Sequence, residues 1–185
     1  MTEEISDDIA LIAGIQKGDR NAMQALVEKY KKKAFYLALG MVGNSDEAYD
    51  ISQDAFLRVF KSARKFDLSQ RFFPWFYSII ANRCRDVLAR RRKREAKEVA
   101  IEEQEYVLIA ESNPEAELIK KERAHLLRRA LARLEFEDRE IIMLKHFRDL
   151  SYDEIAVLLK IPKGTVMSRL YYARKKLARY FHELR

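Results

Sequence analysis

Apolar residues recur every three or four positions along most of this sequence, which is the spacing that gathers them on one face of an α-helix. The pattern breaks near residues 18–21 and 43–44. It therefore predicts a short helix from Asp8, a longer second helix, and a third helix from Ser45 to about Lys65. The apolar positions of the third helix predict its inner face, which comprises Ala48, Ile51, Ala55, Val59 and Ala63.

A stretch rich in aromatic rings follows the third helix. Residues 66–70 interrupt the helical pattern and predict a loop, and a fourth helix is predicted from about Phe73, with Pro74 at its first position. Rings fall near its start in greater number than one small core face should accommodate: Phe72, Phe73, Trp75, Phe76 and Tyr77. Arginines and lysines then crowd residues 83–97. Rings beside cations are typical of surfaces that bind single-stranded nucleic acid, whereas core packing is the alternative interpretation for any one ring.

An acidic stretch without periodicity separates the chain into two parts. Residues 98–112 are rich in glutamate and predict an interdomain linker, and helical spacing resumes from residue 113. The predicted fold class is all-α, with small helical domains at 1–97 and 113–185 joined by the acidic linker at 98–112. The low content of glycine and proline, with 5 and 3 copies, agrees with a helical protein.

The last two helices are predicted to pack around a tight turn. Ser151 and Glu154 form the pattern of a capping box, in which each side chain satisfies a backbone N–H at a helix start. A helix is therefore predicted from Tyr152. It should end before the Ile161-Pro162 bond, because a residue that precedes proline disfavours helical geometry, and residues 162–164 then predict the turn into a second helix.

On that second helix, a helical wheel separates a buried stripe from an outward face. The buried stripe comprises Val166, Leu170, Ala173 and Leu177. The outward face carries hydroxyls and rings bordered by cations: Thr165, Ser168, Tyr171, Tyr172 and Lys175, with Arg169, Arg174 and Lys176 beside them. Such a face suits the major groove of DNA, where polar side chains meet base edges and cations meet phosphates. An ordinary helical hairpin with a solvated basic face is the alternative.

Composition narrows the classes of function. The 36 Lys and Arg residues exceed the 29 Asp and Glu residues, which leaves a net charge of +7 and predicts a polyanionic partner. The single cysteine rules out an internal disulfide, and no apolar run is long enough to span a membrane. The acidic N-terminus is unlike a signal peptide, so a cytoplasmic location is expected. No arrangement of residues suggests catalysis, a metal site, a cofactor or a small-molecule substrate. We therefore expect a binding protein and not an enzyme.

Three blocks of the sequence resemble the bacterial sigma factors of the extracytoplasmic-function (ECF) type, in the sigma-70 family: NSDEAYDISQDAFLRVFKSARKF, FFPWFYSIIANRCRDVLARRRKR and LSYDEIAVLLKIPKGTVMSRLYYARKKL. The resemblance implies a sigma-2-like domain and a sigma-4-like helix-turn-helix domain that together direct promoter-specific transcription initiation. The implied partners are core RNA polymerase, promoter DNA in duplex and single-stranded form, and an anti-sigma factor, often membrane-anchored, that would hold the protein at the inner membrane.

The resemblance also implies three sets of binding residues. Core polymerase would dock on an acidic stripe of the third helix, formed by Asp46, Glu47, Asp50, Gln53 and Asp54. The melted minus-ten strand would meet Lys65, Phe66, Asp67, Trp75, Asn82 and Arg83. The minus-thirty-five duplex would meet Lys163, Thr165, Met167, Ser168, Arg169, Tyr171, Tyr172 and Arg174. Relatives often carry arginine where this chain has Met167 and Tyr172, so the promoter sequence stays open.

Two other classes of protein compete with this interpretation. A conventional helix-turn-helix regulator, with a sensing or dimerising N-terminal half, would bind duplex DNA without polymerase. It would give no role to the ring-rich stretch or to the acidic stripe. A nucleic-acid-processing enzyme would need a metal or acid-base cluster, which the sequence does not offer.

Overall fold

The computed structural model describes residues 2–95, 114–148 and 150–185, and all regular structure among them is helical. Its α-helices are α1 (Thr2–Gln16), α2 (Arg20–Val42), α3 (Ser45–Ser62), α4 (Phe72–Glu95), α5 (Pro114–Ala132), α6 (Phe136–Arg148), α7 (Tyr152–Leu159) and α8 (Lys163–Glu183). A 3₁₀ turn at Ala63–Lys65 extends α3. The predicted all-α class is confirmed for these residues, and none of their helices is long and apolar enough to cross a membrane.

Contacts divide the chain into two compact units. One unit consists of Met1–Leu39 and Asp46–Arg90, and the other of Gly40–Ser45 and Arg91–Arg185. The acidic segment predicted as a linker, residues 98–112, lies outside the described residues.

A cluster of aromatic rings lies within the largely aliphatic core of the first unit. Tyr30 of α2 meets the rings of Phe72 and Phe76 edge-on, with centroids 5.2 and 5.6 Å apart. Phe56 of α3 lies 5.1 Å from Phe76, and Phe66 lies 6.5 Å from Phe72. Edge-to-face and offset pairs of this kind add to the stabilisation from burial alone. Three helices and one loop are therefore joined through one cluster of rings.

Polar groups fasten α1 to this core. The hydroxyl of Tyr30 donates a hydrogen bond to Oδ2 of Asp8, and Nζ of Lys29 lies 2.8 Å from Oδ1 of the same buried carboxylate. At the other end of α1, the amide of Gln16 donates to the carbonyl oxygens of Ala63 and Phe66, both at 2.9 Å. Because buried polar groups are costly when unpaired, these bonds set where the 3₁₀ turn and the following loop lie on α1.

The second unit is organised around α8, which packs against α5, α6 and α7. Its core contains Ile141, Leu144, Ile155, Val166 and Leu170, all of them buried. Nζ of Lys176 lies 2.6 Å from Oδ2 of Asp138 on α6, and this hydrogen bond raises the pKa of the lysine. An ion pair of 2.8 Å joins Arg133, the residue after α5, to Glu183 at the end of α8.

The helix pair α7 and α8 begins as the sequence predicts. The capping box is present: Oγ of Ser151 accepts from the Glu154 N–H at 3.2 Å, and the Glu154 carboxylate accepts from the Ser151 N–H at 2.9 Å. The turn also agrees with the prediction: α7 ends before the Ile161-Pro162 bond, Pro162 is the N-cap of α8, and Gly164 lies in its first turn. Lys160 takes a left-handed conformation, with φ of 55°, and its N–H bonds back to the last turn of α7.

Other helix boundaries shift by a few residues. The first helix begins at Thr2, earlier than the predicted Asp8, and α3 ends at Ser62, with the 3₁₀ turn covering the rest of the predicted helix. The fourth helix begins one residue before the predicted Phe73. The ends of helices depend on local caps more than on apolar spacing, so a periodic pattern locates them poorly.

Candidate nucleic-acid interface

The outward face of α8 is exposed where the sequence predicts it. Met167, Tyr171 and Tyr172 keep 51%, 61% and 59% of their surface accessible, and Ser168 is also exposed. The two tyrosine rings meet edge-on, with centroids 5.2 Å apart. On the opposite side Val166, Leu170 and Ala173 are buried, which anchors the helix and turns the face outward. We call Met167, Ser168, Tyr171 and Tyr172 the α8 face.

Cations and a threonine border the α8 face. Nζ of Lys163 lies 2.8 Å from Oδ2 of Asp153 on α7, and a guanidinium nitrogen of Arg174 lies 3.2 Å from Nε2 of His146 on α6. Arg169 and Thr165 are half-buried. Exposed ion pairs such as Lys163–Asp153 are weak, so these side chains can exchange protein partners for phosphate oxygens at little cost.

The loop before α4 is ordered by its own side chains. Oδ1 of Asp67 accepts a hydrogen bond from the Ser69 N–H at 2.9 Å, and this bond lowers the pKa of the Asp67 carboxyl. Lys65 and Asp67 are exposed, whereas Phe66 is only 8% accessible and its ring lies 4.7 Å from that of half-buried Trp75. The loop therefore presents a cation and a carboxylate beside a ring pair.

Further along α4, Asn82 and Arg83 differ in exposure. Asn82 is exposed, and its side-chain oxygen accepts from Arg85 at 3.1 Å. The side chain of Arg83 keeps 24% of its surface, and its Nε lies 2.6 Å from Oδ2 of Asp54. Within the described part of the chain that nitrogen has no aligned hydrogen bond, so the contact is an ion pair. Each residue predicted for the minus-ten strand thus lies in the connection of residues 63–71 or on α4.

The acidic stripe of α3 divides into two kinds of side chain. Asp46, Asp50 and Gln53 are exposed, and Glu47 is half-buried. The carboxylate of Asp54 lies between two arginines, because its Oδ2 is also 3.1 Å from Nε of Arg58. The exposed members are available to a partner, whereas Asp54 already has cationic neighbours.

The structure corrects the prediction that the ring-rich stretch is mainly a surface cluster. Phe72, Phe76 and Tyr77 are buried, and only Phe73 and Trp75 are half-exposed. The reason is that α2 and α3 each contribute a large ring, Tyr30 and Phe56, to the same core. The core therefore accommodates more rings than the face of one helix indicates.

Two features of the interface are absent from the sequence prediction. The two hydrogen bonds from Gln16 hold the start of the loop before α4, and the Asp54–Arg83 contact joins α3 to α4. Both connect residues far apart in sequence, so no local pattern could signal them. No group of three or more metal-ligating side chains converges within residues 2–95, 114–148 and 150–185.

Comparison with known proteins identifies the class. The sequence matches the family model of Sigma-70 region 2 over residues 26–94 and that of Sigma-70, region 4 over residues 124–177. It is 30% identical over 183 residues to the RNA polymerase sigma-H factor of Pseudomonas aeruginosa, and the alignment covers 96% of this chain and 94% of that protein. It is 32% identical over 183 residues to the ECF RNA polymerase sigma-E factor of Escherichia coli K12, and this alignment covers 96% of this chain and 95% of that protein.

A solved structure shows the same fold. The structure of CnrH in complex with the cytosolic domain of CnrY aligns with a TM-score of 0.69 at 21% identity, over 96% of this chain and 98% of that chain. The chain belongs to the sigma-70 family of RNA polymerase sigma factors. Within that family its relatives include proteins named as ECF sigma factors, from Bacillus subtilis and Escherichia coli, which confirms the resemblance carried by the three sequence blocks.

Proposed function

We propose that this chain binds core RNA polymerase and directs it to promoters by holding DNA at two places. The α8 face and its bordering residues would read the minus-thirty-five element as duplex. The residues from Lys65 to Arg83 would hold the non-template strand of the opened minus-ten element. The observation that carries this proposal is the α8 face itself, which is exposed, uncharged and bordered by cations on the second helix of a helix-turn-helix.

Docking on polymerase would use the acidic stripe of α3. Asp46, Asp50 and Gln53 are exposed on one side of that helix, with Glu47 next to them. Carboxylates on a protein of net charge +7 suit a basic surface on the partner. Complementary charges of this kind mainly set the encounter rate and the register of docking. We assign Asp54 to the same stripe by position, although its carboxylate also contacts two arginines.

Capture of the minus-ten strand would involve one ring and several polar groups. Trp75 is half-buried against Phe66, which leaves part of its ring available for stacking. Asn82 and Asp67 are exposed and offer hydrogen-bonding groups, while Lys65 and Arg83 supply positive charge. Stacking on a ring contributes about 1–3 kcal/mol per base, which can offset the cost of unstacking that base. Strand opening would then be driven by binding, with no enzymatic activity of this chain.

The domain limits follow from the same proposal. A sigma-2-like domain at 1–97 would hold the polymerase and minus-ten sites, and a sigma-4-like domain at 113–185 would hold the minus-thirty-five site. The acidic segment 98–112 would join them. We further propose a cytoplasmic location and an anti-sigma partner that covers these surfaces, which would place the protein at the inner membrane when that partner is anchored there.

The test is transcription in vitro with purified core polymerase. Adding the chain should produce run-off transcripts from a specific promoter, and core polymerase alone should produce none. Promoter-independent transcription in both reactions, together with duplex binding that needs no polymerase, would instead favour a conventional helix-turn-helix regulator. An anti-sigma partner titrated into the same reaction should abolish the specific transcript and leave initiation by a different sigma factor unchanged.

A further inference from the structure

The α8 face has an unusual chemical composition for a surface that would read DNA bases. Its four side chains carry no charge and no amide, and three of the four are large, with 51–61% of their surface exposed. The hydroxyl of Ser168 donates to the Thr165 carbonyl oxygen at 3.2 Å, so its proton is already used within the helix. The face therefore offers a thioether, two tyrosine rings and their hydroxyls.

Each base presents different groups in the major groove and is therefore contacted by different side chains. Guanine is read mainly by arginine or lysine, adenine by asparagine or glutamine, and cytosine by a carboxylate. The α8 face holds none of these residue types. The 5-methyl group of thymine is the base feature that apolar side chains contact. Met167 and the edges of the Tyr171 and Tyr172 rings are suited to it.

The neighbouring cations do not change this conclusion. Arg174 is directed at His146 on α6, and Lys163 at Asp153 on α7. Arg169 is half-buried at the flank of the helix, and Lys175, although exposed on the outward side, lies beyond the N-terminal residues with which a recognition helix contacts bases. These positions suit contacts with the phosphate backbone on either side of the groove, which fix register and carry no direct base information.

We propose that the α8 face recognises thymine methyl groups. The minus-thirty-five elements that this chain prefers should therefore carry thymine at the positions that Met167 and the two tyrosines contact. The inference rests on the proposed function, because it takes α8 as the helix in the major groove. The edge-on contact between the two rings, with centroids 5.2 Å apart, restricts both and gives the methyl groups a preformed apolar surface.

The experiment uses holoenzyme assembled from core polymerase and the full chain. Transcription from a promoter library randomised upstream of the minus-ten element first gives the preferred minus-thirty-five sequence. Each thymine of that sequence is then replaced by deoxyuridine, which removes only the methyl group. We expect holoenzyme binding to fall about three- to five-fold at one or two positions, as burial of one methyl group predicts.

Variants link each methyl group to a side chain. In holoenzyme that carries Met167→Ala or Tyr172→Ala, uracil should replace thymine without loss at the position that the substituted side chain contacts. The ratio of the affinities for the thymine and the uracil promoter should therefore be about one at that position. Val157→Ala is the matched control, because Val157 is an apolar residue on α7 that is 80% exposed and lies outside the α8 face. It should keep the full thymine preference. Met167→Arg should shift the selected base at its position towards guanine.

The outcomes separate this inference from the function on which it rests. A selected element that is rich in guanine, or thymines that uracil replaces without loss, would overturn methyl recognition while promoter-specific initiation stands. A uracil effect that persists in Met167→Ala and Tyr172→Ala would also overturn it. If the wild-type chain gives no promoter-specific transcript with core polymerase, the proposed function fails, and this inference fails with it.

Discussion

The contact between Asp54 and Arg83 allows a prediction with a magnitude. Oδ2 of Asp54 lies 2.6 Å from Nε of Arg83 and 3.1 Å from Nε of Arg58. The first pair is half-buried, with 32% of the Asp54 side chain and 24% of the Arg83 side chain accessible, whereas Arg58 is 51% accessible. The substitution Asp54→Asn keeps the shape of the side chain and removes its charge.

The two ion pairs differ in strength because they differ in exposure. An exposed pair four residues apart on one helix contributes about 0.3–0.5 kcal/mol, which we assign to Arg58. The contact with Arg83 is an ion pair without an aligned hydrogen bond, and since it is half-buried we assign it about 0.5–1 kcal/mol, the upper part of the range for ion pairs in contact with water. Asp54→Asn should therefore lower the free energy of unfolding of the first unit by about 1–1.5 kcal/mol.

Trp75 provides the assay, because it is the single tryptophan of the chain and lies on α4. Its fluorescence reports unfolding of the first unit in urea. Asp54→Asn, Arg83→Gln and the double variant form a cycle that isolates the interaction, for which we expect a coupling of about 1 kcal/mol. Asp50→Asn removes the same charge from an exposed position of α3 and should change the free energy of unfolding by less than about 0.5 kcal/mol.

A coupling energy indistinguishable from zero would refute the reasoning, because it would mean that water screens the pair completely. The same variants also test how the acidic stripe is used. Since the carboxylate of Asp54 is shared by two arginines, Asp54→Asn should weaken binding to core polymerase less than Asp50→Asn does. The opposite order would show that polymerase draws Asp54 away from Arg83 on docking.

Three further substitutions test other local features. Ser151→Ala removes the hydroxyl that accepts the Glu154 N–H and should lower the stability of the second unit by about 1 kcal/mol, measured by circular dichroism in urea; no loss would mean that the cap does not hold in solution. Lys160→Gly should raise that stability by about 0.5–1 kcal/mol, because φ of 55° strains a residue with a side chain, and Lys160→Ala should give no such gain. Asp50→Lys should slow association with core polymerase at low salt, whereas Glu28→Lys, the same charge change on α2, should leave it unaltered.

The buried and exposed faces of α8 could be predicted from sequence. A helix that packs on one side only has apolar residues at regular helical spacing. Val166, Leu170 and Ala173 recur at helical spacing and are buried, while Met167 and Tyr172 fall between them and are exposed. Local rules also gave the capping box of α7. They do not give the left-handed conformation of Lys160 at the end of α7. Hydrogen bonds to the end of α7 impose that conformation, and a propensity for each residue type cannot include them.

The ring-rich start of α4 shows what a single helix cannot reveal about burial. Periodicity assigns Phe72 and Phe76 to one side of α4, but it does not say how many neighbours surround the helix. Tyr30 and Phe56 approach from α2 and α3, so the rings in excess of one helix face become part of the core of the first unit. The exposed ring surface at the start of α4 is therefore smaller than the sequence indicates.

Under the proposed function, this smaller surface changes which residues should contribute most to binding the minus-ten strand. With Phe66 only 8% accessible, Trp75 is the ring of that pair with the larger part available to a base, and the polar groups of Asp67 and Asn82 gain weight in recognition. Phe66 would then act by supporting Trp75, from which its centroid is 4.7 Å away. Its backbone carbonyl accepts from Gln16, so α1 positions this pair although it carries none of the predicted contacts. Promoter opening should accordingly depend on the hydrogen bond between Gln16 of α1 and Phe66 in the loop before α4. No sequence motif indicates this dependence, which follows from the fold.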